Sequence, residues 1–342
     1  MSNDKNSINR RTFLAATGLA AAATVSGASS PPASQSTLLR RQPRGGPAGA
    51  FGSPNREPVV RKALKFGMIQ EGESIGDKLK IARDAGFEGV EFDAPSDLST
   101  DEILEAKEKA GIEIPGVVCS THWSKPLSHP DERVRLEGRH GLEKAILTCR
   151  DLGGSQVLLV PAVVNNEVSY AEAYERSRIE LQRVVNTVAA ESAISIALEN
   201  VWNNFLLSPI EASRYIDDVL SPKVNHIFQT ANGTFAQRLG WYFDVGNIWA
   251  YGWPAHWLEV LGPQAVLRLD IKGYSRAKAD KEGKWAGFGV EIGEGDVPWE
   301  SVRDWIRSTN WSGWAAAEVR GGDRTRLTDI AARMDRVLGL DN

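Results

Sequence analysis

Short apolar runs and amphipathic stretches alternate along most of this chain. From residue 65 onward, about eight apolar runs are each followed by a stretch with the 3.6-residue period of a helix. Runs that are apolar at nearly every position are typical of strands covered on both faces, as in a parallel sheet. We predict strands at 65–69, 89–92, 114–118, 156–161, 194–199, 240–244, 266–271 and 314–319.

The helical stretches carry residues that are typical of helix ends. Asp101 lies in the first turn of the pattern after the second strand, and Gly111 follows its last turn. A later pattern begins at Pro209, a residue suited to a first helical turn. Repeated strand–helix units of this number predict a (β/α)8 TIM barrel, an α/β fold of one domain that covers residues 64–342.

A doubly wound α/β sheet is the alternative fold. Such a sheet binds phosphate groups with a glycine-rich turn after its first strand. The segment "GMIQEGESIG" at 67–76 lacks the GxGxxG spacing of that turn. The barrel is therefore the preferred interpretation.

The first 63 residues are predicted to lie outside the barrel. The segment "RRTFL" at 10–14 and the alanine-rich run after it resemble a twin-arginine export signal, with small residues at 26–28 for cleavage. The run is too short and too weakly apolar for a stable membrane span. We assign 1–30 to a signal peptide and 31–63 to a disordered linker rich in Pro, Gly and Ser. Export to the periplasm or another extracytoplasmic compartment is expected.

Composition narrows the function classes. The formal net charge is −4, and no Lys/Arg stripe with interleaved aromatic residues occurs, so the chain lacks a nucleic-acid surface. Cys119 and Cys149 have no zinc-finger spacing, and we expect two buried thiols rather than a disulfide. The 11 tryptophans suit either core packing or the stacking of a sugar-like ligand.

Acidic residues follow four consecutive predicted strands. In a TIM barrel the active site lies at the carboxyl ends of the strands. Buried carboxylates in one place repel each other unless some are protonated or a cation lies between them. A divalent cation that prefers oxygen ligands would resolve this repulsion. Each acid alone could instead be a rim residue paired with Arg or Lys. The candidate metal ligands are Glu199, Asp244, Asp270 and Glu318.

Four segments carry a resemblance to a known family. "LENVWN" at 198–203, "FDVGN" at 243–247, "IGEGDVPWESV" at 292–302 and "GWAAAEV" at 313–319 are similar to stretches of the xylose-isomerase-like TIM-barrel family, in its sugar-phosphate isomerase/epimerase branch. The resemblance implies a small-molecule carbohydrate substrate. It is also compatible with a homo-oligomer, because relatives often associate.

The resemblance also implies one divalent ion. In that family a Glu, an Asp, a His and a Glu from strands five to eight hold the ion, often manganese. Glu199, Asp244 and Glu318 match three of these positions, whereas Asp270 stands in the place of the histidine. Asn247 is a second departure, since many relatives have a histidine there. An all-carboxylate set favours Mg²⁺ or Mn²⁺ over softer metals.

The activity implied is proton transfer on a keto-sugar or related polyol through a metal-stabilised enediolate. Glu199 and Glu318 are the expected catalytic residues, one removing the proton and the other returning it. Proton transfer by a single base would give an isomerase rather than an epimerase. A keto-sugar or keto-inositol dehydratase or lyase is an alternative on the same site. A non-catalytic exported sugar-binding barrel is another, motivated by Asp270 and Asn247.

Several polar and aromatic residues near strand ends are candidate substrate ligands, with a structural role or surface pairing as the alternative for each. Glu71 and Glu91 follow the first two predicted strands and could bind sugar hydroxyls. Export argues against a sugar phosphate, so a free, oxidised or glycosidically linked sugar is expected. The main candidates for substrate binding are His122, Asn200, Trp202, Asn247, His256, Lys272 and Arg320.

Overall fold

Eight parallel strands form a closed barrel in the computed structural model, which describes residues 57–220, 227–229 and 235–341. The predicted signal peptide at 1–30 lies outside the described residues. The barrel strands are numbered 1 to 8 along the chain. They pair in the order 1-8-7-6-5-4-3-2, and strand 1 also pairs with strand 2, which closes the barrel. They are Val60–Lys65, Gly89–Ala94, Gly116–Cys119, Gln156–Leu159, Ser195–Glu199, Leu239–Asp244, Val266–Ile271 and Gly313–Ala317.

Helices occupy the connections between strands. Ser74 and Ser169 begin two of them with capping boxes, in which the serine hydroxyl and a side chain three residues later satisfy free amide groups. A short antiparallel hairpin, Ile227–Gln229 with Phe235–Gln237, lies before barrel strand 6. The α-helices are Ile75–Asp84, Thr100–Ala110, Glu132–Asp151, Tyr170–Asn186, Val188–Ser192, Pro209–Val219, Val245–Trp249, Pro254–Leu261, Arg276–Glu282, Trp299–Thr309 and Arg324–Leu338, with 3₁₀ turns at Phe66–Met68 and Lys284–Phe288.

The predicted barrel is confirmed, and one strand is misplaced. Seven predicted strands overlap the observed ones, but strand 1 is Val60–Lys65 rather than 65–69. Arg61 and Lys62 give this strand a polar sequence. Arg61 pairs with Glu88 and lies over the ring of Trp314, whereas Lys62 lies on the outer face and pairs with Asp335. The barrel therefore begins inside the range assigned to the linker.

The core has two parts. Between the sheet and the helices lies a large apolar cluster that includes Leu79, Phe92 and Leu142. Inside the barrel, small side chains dominate, among them Ala63 and Ala316. Because alanines fill so little of the interior, longer polar side chains have room there.

A buried charged network uses that room. Glu91 of strand 2 forms an ion pair with Arg268 of strand 7, and it lies 2.6 Å from the ammonium of Lys65. The hydroxyl of Tyr242 donates to Glu91 at 2.8 Å. Charge pairing of this kind offsets the cost of burying a carboxylate in the barrel centre.

One further expectation is met by the described residues. Cys119 and Cys149 are buried free thiols, as predicted. In the described ranges, every helix is either too short or too polar to span a membrane.

Candidate metal centre

Four carboxylates converge at the carboxyl end of the barrel. Glu199 and Asp244 are the last residues of strands 5 and 6, Asp270 lies one residue before the end of strand 7, and Glu318 follows strand 8. One oxygen from each lies within 4.8 Å of the others. The register pairs Asp244 directly with Asp270. The four predicted metal ligands are thus brought together.

The ends of strands 5 and 6 are locked to each other by an asparagine. The amide of Asn200 donates to the main-chain oxygen of Asp244 at 2.9 Å, and its oxygen accepts from the Asp244 N–H at 3.0 Å. Asp244 Oδ1 also accepts from the N–H of Asn247 and so caps the short helix Val245–Trp249. These contacts explain Asn200 of "LENVWN" and give Asp244 of "FDVGN" a capping role.

Two lysines lie among the acids. The ammonium of Lys272 is 2.8 Å from Asp244 Oδ2 and also contacts the Glu318 carboxylate. The ammonium of Lys65 is 3.3 Å from Asp270 Oδ2. When all four carboxylates are ionised, they and the two ammonium groups leave two negative charges, which one divalent cation would neutralise.

The pKa values of the two predicted catalytic glutamates are shifted in opposite directions. Burial, and then the charge of Glu318, raise the pKa of Glu199 well above its usual value. Burial acts on Glu318 in the same direction, but the charges of Lys272 and Lys65 outweigh it and lower the pKa of Glu318. Glu199 therefore favours the protonated form and Glu318 the ionised form.

The buried environment of the two aspartates favours the binding of a cation. Burial raises the pKa of Asp244 to about 6 and that of Asp270 well above its usual value. Both oxygens of Asp270 are buried, and neither accepts a hydrogen bond from the described residues. The Asp270 oxygens, whose charged partner is Lys65, are gathered with those of Asp244 and Glu318 and fit an oxygen-binding divalent ion.

A cavity of about 400 Å³ opens above the acids. Four of the predicted substrate residues line it: His122, Trp202, Asn247 and Lys272. The complete described lining is Lys65, Asp93, Val118, His122, Trp123, Leu158, Glu199, Val201, Trp202, Asn247, Lys272, Trp285 and Glu318.

Neutral hydrogen-bonding groups face this cavity beside the charged ones. The N–H of Val160 donates to His122 Nδ1 at 3.2 Å, and burial lowers the pKa of His122 to about 4. The imidazole is therefore neutral at pH 7, with Nε2 carrying the proton. Asn247 accepts from the indole N–H of Trp202 at 3.0 Å, which fixes the angle of that ring.

Three predicted substrate residues do not line the cavity. The side-chain amide of Asn200 is used by the main chain of Asp244, so its role is to position Asp244. His256 is exposed beside the ring of Trp253, and Arg320 is exposed past the end of strand 8. Neither belongs to the described lining of the cavity.

The two glutamates assigned to the first strands also have other partners. Glu71 lies beyond the 3₁₀ turn after strand 1 and accepts from the N–H of Arg324. Glu91 is buried inside the barrel and paired with Lys65 and Arg268, below the cavity lining. Neither side chain is placed to bind a sugar hydroxyl.

Sequence reasoning missed three cavity residues. Lys65 was taken as a strand start, whereas it ends strand 1 beside the acids. Asp93 lies two residues after Glu91 on strand 2, so the period of two places both on the inner face. That alternation was a usable signal for Asp93. Trp285 lies in the long connection after strand 7, where no periodicity marks it.

Comparison with known proteins agrees with the fold. A sequence model of the xylose isomerase-like TIM-barrel family matches residues 79–337. L-ribulose-5-phosphate 3-epimerase UlaE of Salmonella paratyphi A is 22% identical over an alignment of 273 residues that covers 75% of this chain and 87% of that protein.

Solved structures of other proteins also share this fold. A D-tagatose 3-epimerase-like protein superposes with a TM-score of 0.63 and 17% identity, covering 82% of this chain and 98% of that one. A 3-keto-D-glucoside 4-epimerase from E. coli superposes with a TM-score of 0.63 and 15% identity, covering 82% and 99%. At these identities the superpositions establish a shared barrel.

Proposed function

Because the chain belongs to the xylose isomerase-like TIM-barrel family, we propose that it is a sugar isomerase or epimerase that uses one divalent metal ion. The relatives named above are sugar epimerases. The observation that carries the proposal is the convergence of four carboxylates at the base of a cavity, with both Asp270 oxygens left without a hydrogen bond.

Glu199, Asp244, Asp270 and Glu318 would hold the ion, and their oxygens favour Mg²⁺ or Mn²⁺. The bound ion would draw electron density from neighbouring carbonyl and hydroxyl oxygens of a keto-sugar, which acidifies the C–H next to the carbonyl and favours an enediolate.

Glu318 and Glu199 are assigned the proton transfers. One of the two, as a carboxylate, would remove the proton from carbon, and the other would return a proton to the opposite face of that carbon. They reach the cavity from strands 8 and 5, which are different walls of the barrel. Two groups on two walls favour epimerisation over transfer by a single base.

The other cavity residues orient the substrate. The neutral His122 imidazole can donate from Nε2 to a sugar oxygen, and the fixed ring of Trp202 offers an apolar wall to sugar C–H groups. Lys272 holds Asp244 and Glu318 in place through its ammonium group. Substrate positioning of this kind supplies a large part of enzymatic rate enhancement.

We also propose that the protein is exported, on the strength of the twin-arginine-like segment at 10–14. Export would keep the enzyme away from cytoplasmic sugar phosphates and favour a free, oxidised or glycosidically linked sugar. Replacing Arg10 and Arg11 by Lys should leave the precursor in the cytoplasm on cell fractionation. Unchanged export of that variant would remove this part of the proposal.

The test is solvent deuterium incorporation into a panel of keto-sugars by the manganese-loaded protein, followed by proton NMR. The wild-type protein should exchange one C–H, and Glu199→Gln should lose at least about a hundredfold in rate. Glu191→Gln, an exposed glutamate just before strand 5, is the matched control and should keep full activity.

The NMR products separate the alternatives. A new sugar epimer or aldose supports the proposal, whereas an unsaturated product would identify a dehydratase or lyase. Sugar binding without exchange would identify a non-catalytic barrel. Full activity in Glu199→Gln would show that this residue is not an essential proton donor.

A further inference from the structure

Two tryptophans at the cavity have no part in the chemistry described so far. Trp123 is 53% exposed and Trp285 is 63% exposed, yet both line the same cavity as the four acids. A single exposed aromatic side chain is ordinary. Two of them bordering one polar cavity form a surface that a ligand can cover.

The tryptophan pair, Trp123 and Trp285, is contributed by two separate loops. Trp123 follows strand 3, and Trp285 lies in the 3₁₀ turn Lys284–Phe288 after strand 7. The ring of Trp285 packs against that of Trp202, which follows strand 5. The two rings therefore reach the cavity from different loops, and both line it.

Neighbouring side chains hold both rings in position. The ring centre of Trp285 lies 5.1 Å from that of Trp202, and Phe288 lies 6.2 Å away on the same turn. Trp123 meets the buried imidazole of His122 at right angles, with centres 5.6 Å apart. Rings supported in this way lose little conformational freedom when a ligand binds.

The tryptophan pair lies farther out than the reacting centre. Asp244 and Asp270 are completely buried, whereas both tryptophans are more than half exposed. A cavity of about 400 Å³ falls in the range that accepts drug-sized ligands, which exceed a single sugar ring. A ring bound at the acids would thus leave the tryptophan pair uncovered.

Within the described lining, no cationic side chain is left without a carboxylate partner for a phosphate group; Lys284, outside the lining, lies over the rings of Trp202 and Trp285. The cationic residues of that described lining are Lys65 and Lys272, and each is already paired with carboxylates. A phosphate ester is recognised by free cationic side chains or by several amide groups. Aromatic faces instead match the apolar C–H faces of a sugar ring.

We propose that the tryptophan pair is a subsite for a second sugar ring, joined by a glycosidic bond to the sugar that reacts at the acids. This inference rests on the proposed function, and it narrows the substrate class to keto-disaccharides or larger keto-glycosides. The inner ring occupies the acid-lined base, and the outer ring stacks against Trp123 and Trp285.

Calorimetric binding to the manganese-loaded protein tests the subsite. The ligands are D-fructose and three disaccharides with fructose at the reducing end: maltulose, lactulose and isomaltulose. At least one disaccharide should bind more tightly than fructose. Trp285→Ala and Trp123→Ala should each weaken its binding roughly five- to tenfold and leave fructose binding unchanged. Trp285→Phe should retain most of the affinity.

Trp253→Ala is the matched control, because Trp253 is 54% exposed and lies outside the cavity. It should bind all four sugars like the wild type. Equal weakening of fructose and disaccharide by the Trp285 and Trp123 variants, or no disaccharide preference, would overturn the subsite. In that case, deuterium exchange on fructose would still support the proposed function. The opposite outcome is disaccharide binding that depends on the tryptophans but no deuterium exchange on any of the four sugars. That outcome would support the subsite and contradict the proposed function.

Discussion

Asp270 stands where the resemblance to the family expects a histidine, and Lys65 is its charged neighbour. A histidine ligand is neutral, so an aspartate adds one negative charge to the site. The ammonium of Lys65, 3.3 Å from Asp270 Oδ2 and 2.6 Å from Glu91, offsets that charge. We infer that Lys65 makes the all-carboxylate site tolerable before a cation binds.

Replacing Lys65 by Met should therefore destabilise the metal-free protein by about 3 kcal/mol, because Asp270 and Glu91 lose a buried partner. The loss should shrink in saturating Mn²⁺, since the ion then supplies positive charge to Asp270. Urea unfolding with EDTA and with MnCl₂ measures both values.

Lys62→Met is the matched control for that experiment. Lys62 is on the same strand and pairs with Asp335 at 2.6 Å, on the outer face of the barrel and away from the acids. Its effect on stability should be the same with and without Mn²⁺. An equal metal response in the two variants would contradict the role given to Lys65.

The helix Glu132–Asp151 positions the loop that carries His122 and Trp123. A Cβ at Gly138 would collide with the main-chain oxygen of Lys125, and one at Gly141 would collide with the side chain of Thr121. The glycines thus let this helix pack directly on the loop. Main-chain atoms cannot rotate aside as a flexible side chain can.

Gly138→Ala should cost about 1–3 kcal/mol of stability and displace the loop, because the new methyl group has no space. Sugar affinity should fall with it, since His122 and Trp123 lie in the displaced segment. Urea unfolding and calorimetry measure the two effects. Gly67→Ala, where a Cβ meets nothing within 4 Å, should change neither. Wild-type values for Gly138→Ala would show that the close approach is unimportant.

Strand–helix periodicity predicted the barrel because buried parallel strands are apolar over their whole length. It failed at strand 1, where Arg61 and Lys62 pair with acidic partners and give the strand a polar sequence. Because strand 1 is predicted five residues too late, the sequence places Glu71 rather than Lys65 at its carboxyl end. The four acids were predictable because they end strands, whereas Trp285 and the pairing of Asn200 depend on loop geometry that local sequence does not encode.

Along the barrel axis, the charged network that stabilises the interior and the four acids of the candidate metal site occupy different levels. The interior network of Glu91, Arg268 and Tyr242 is internally paired, whereas the four acids at the strand ends keep two charges beyond those offset by Lys65 and Lys272. An imbalance confined to one end of a barrel is typical of a binding site for a cation.

Titration of Mn²⁺ into metal-stripped protein by calorimetry tests the central claim most directly. One ion per chain should bind, and Asp270→Asn should weaken its affinity at least about tenfold, because a charged ligand is removed without loss of volume. Asp93→Asn, which changes a carboxylate of the same cavity outside the four, should bind Mn²⁺ nearly as the wild type does. No saturable binding, or wild-type affinity in Asp270→Asn, would contradict the account.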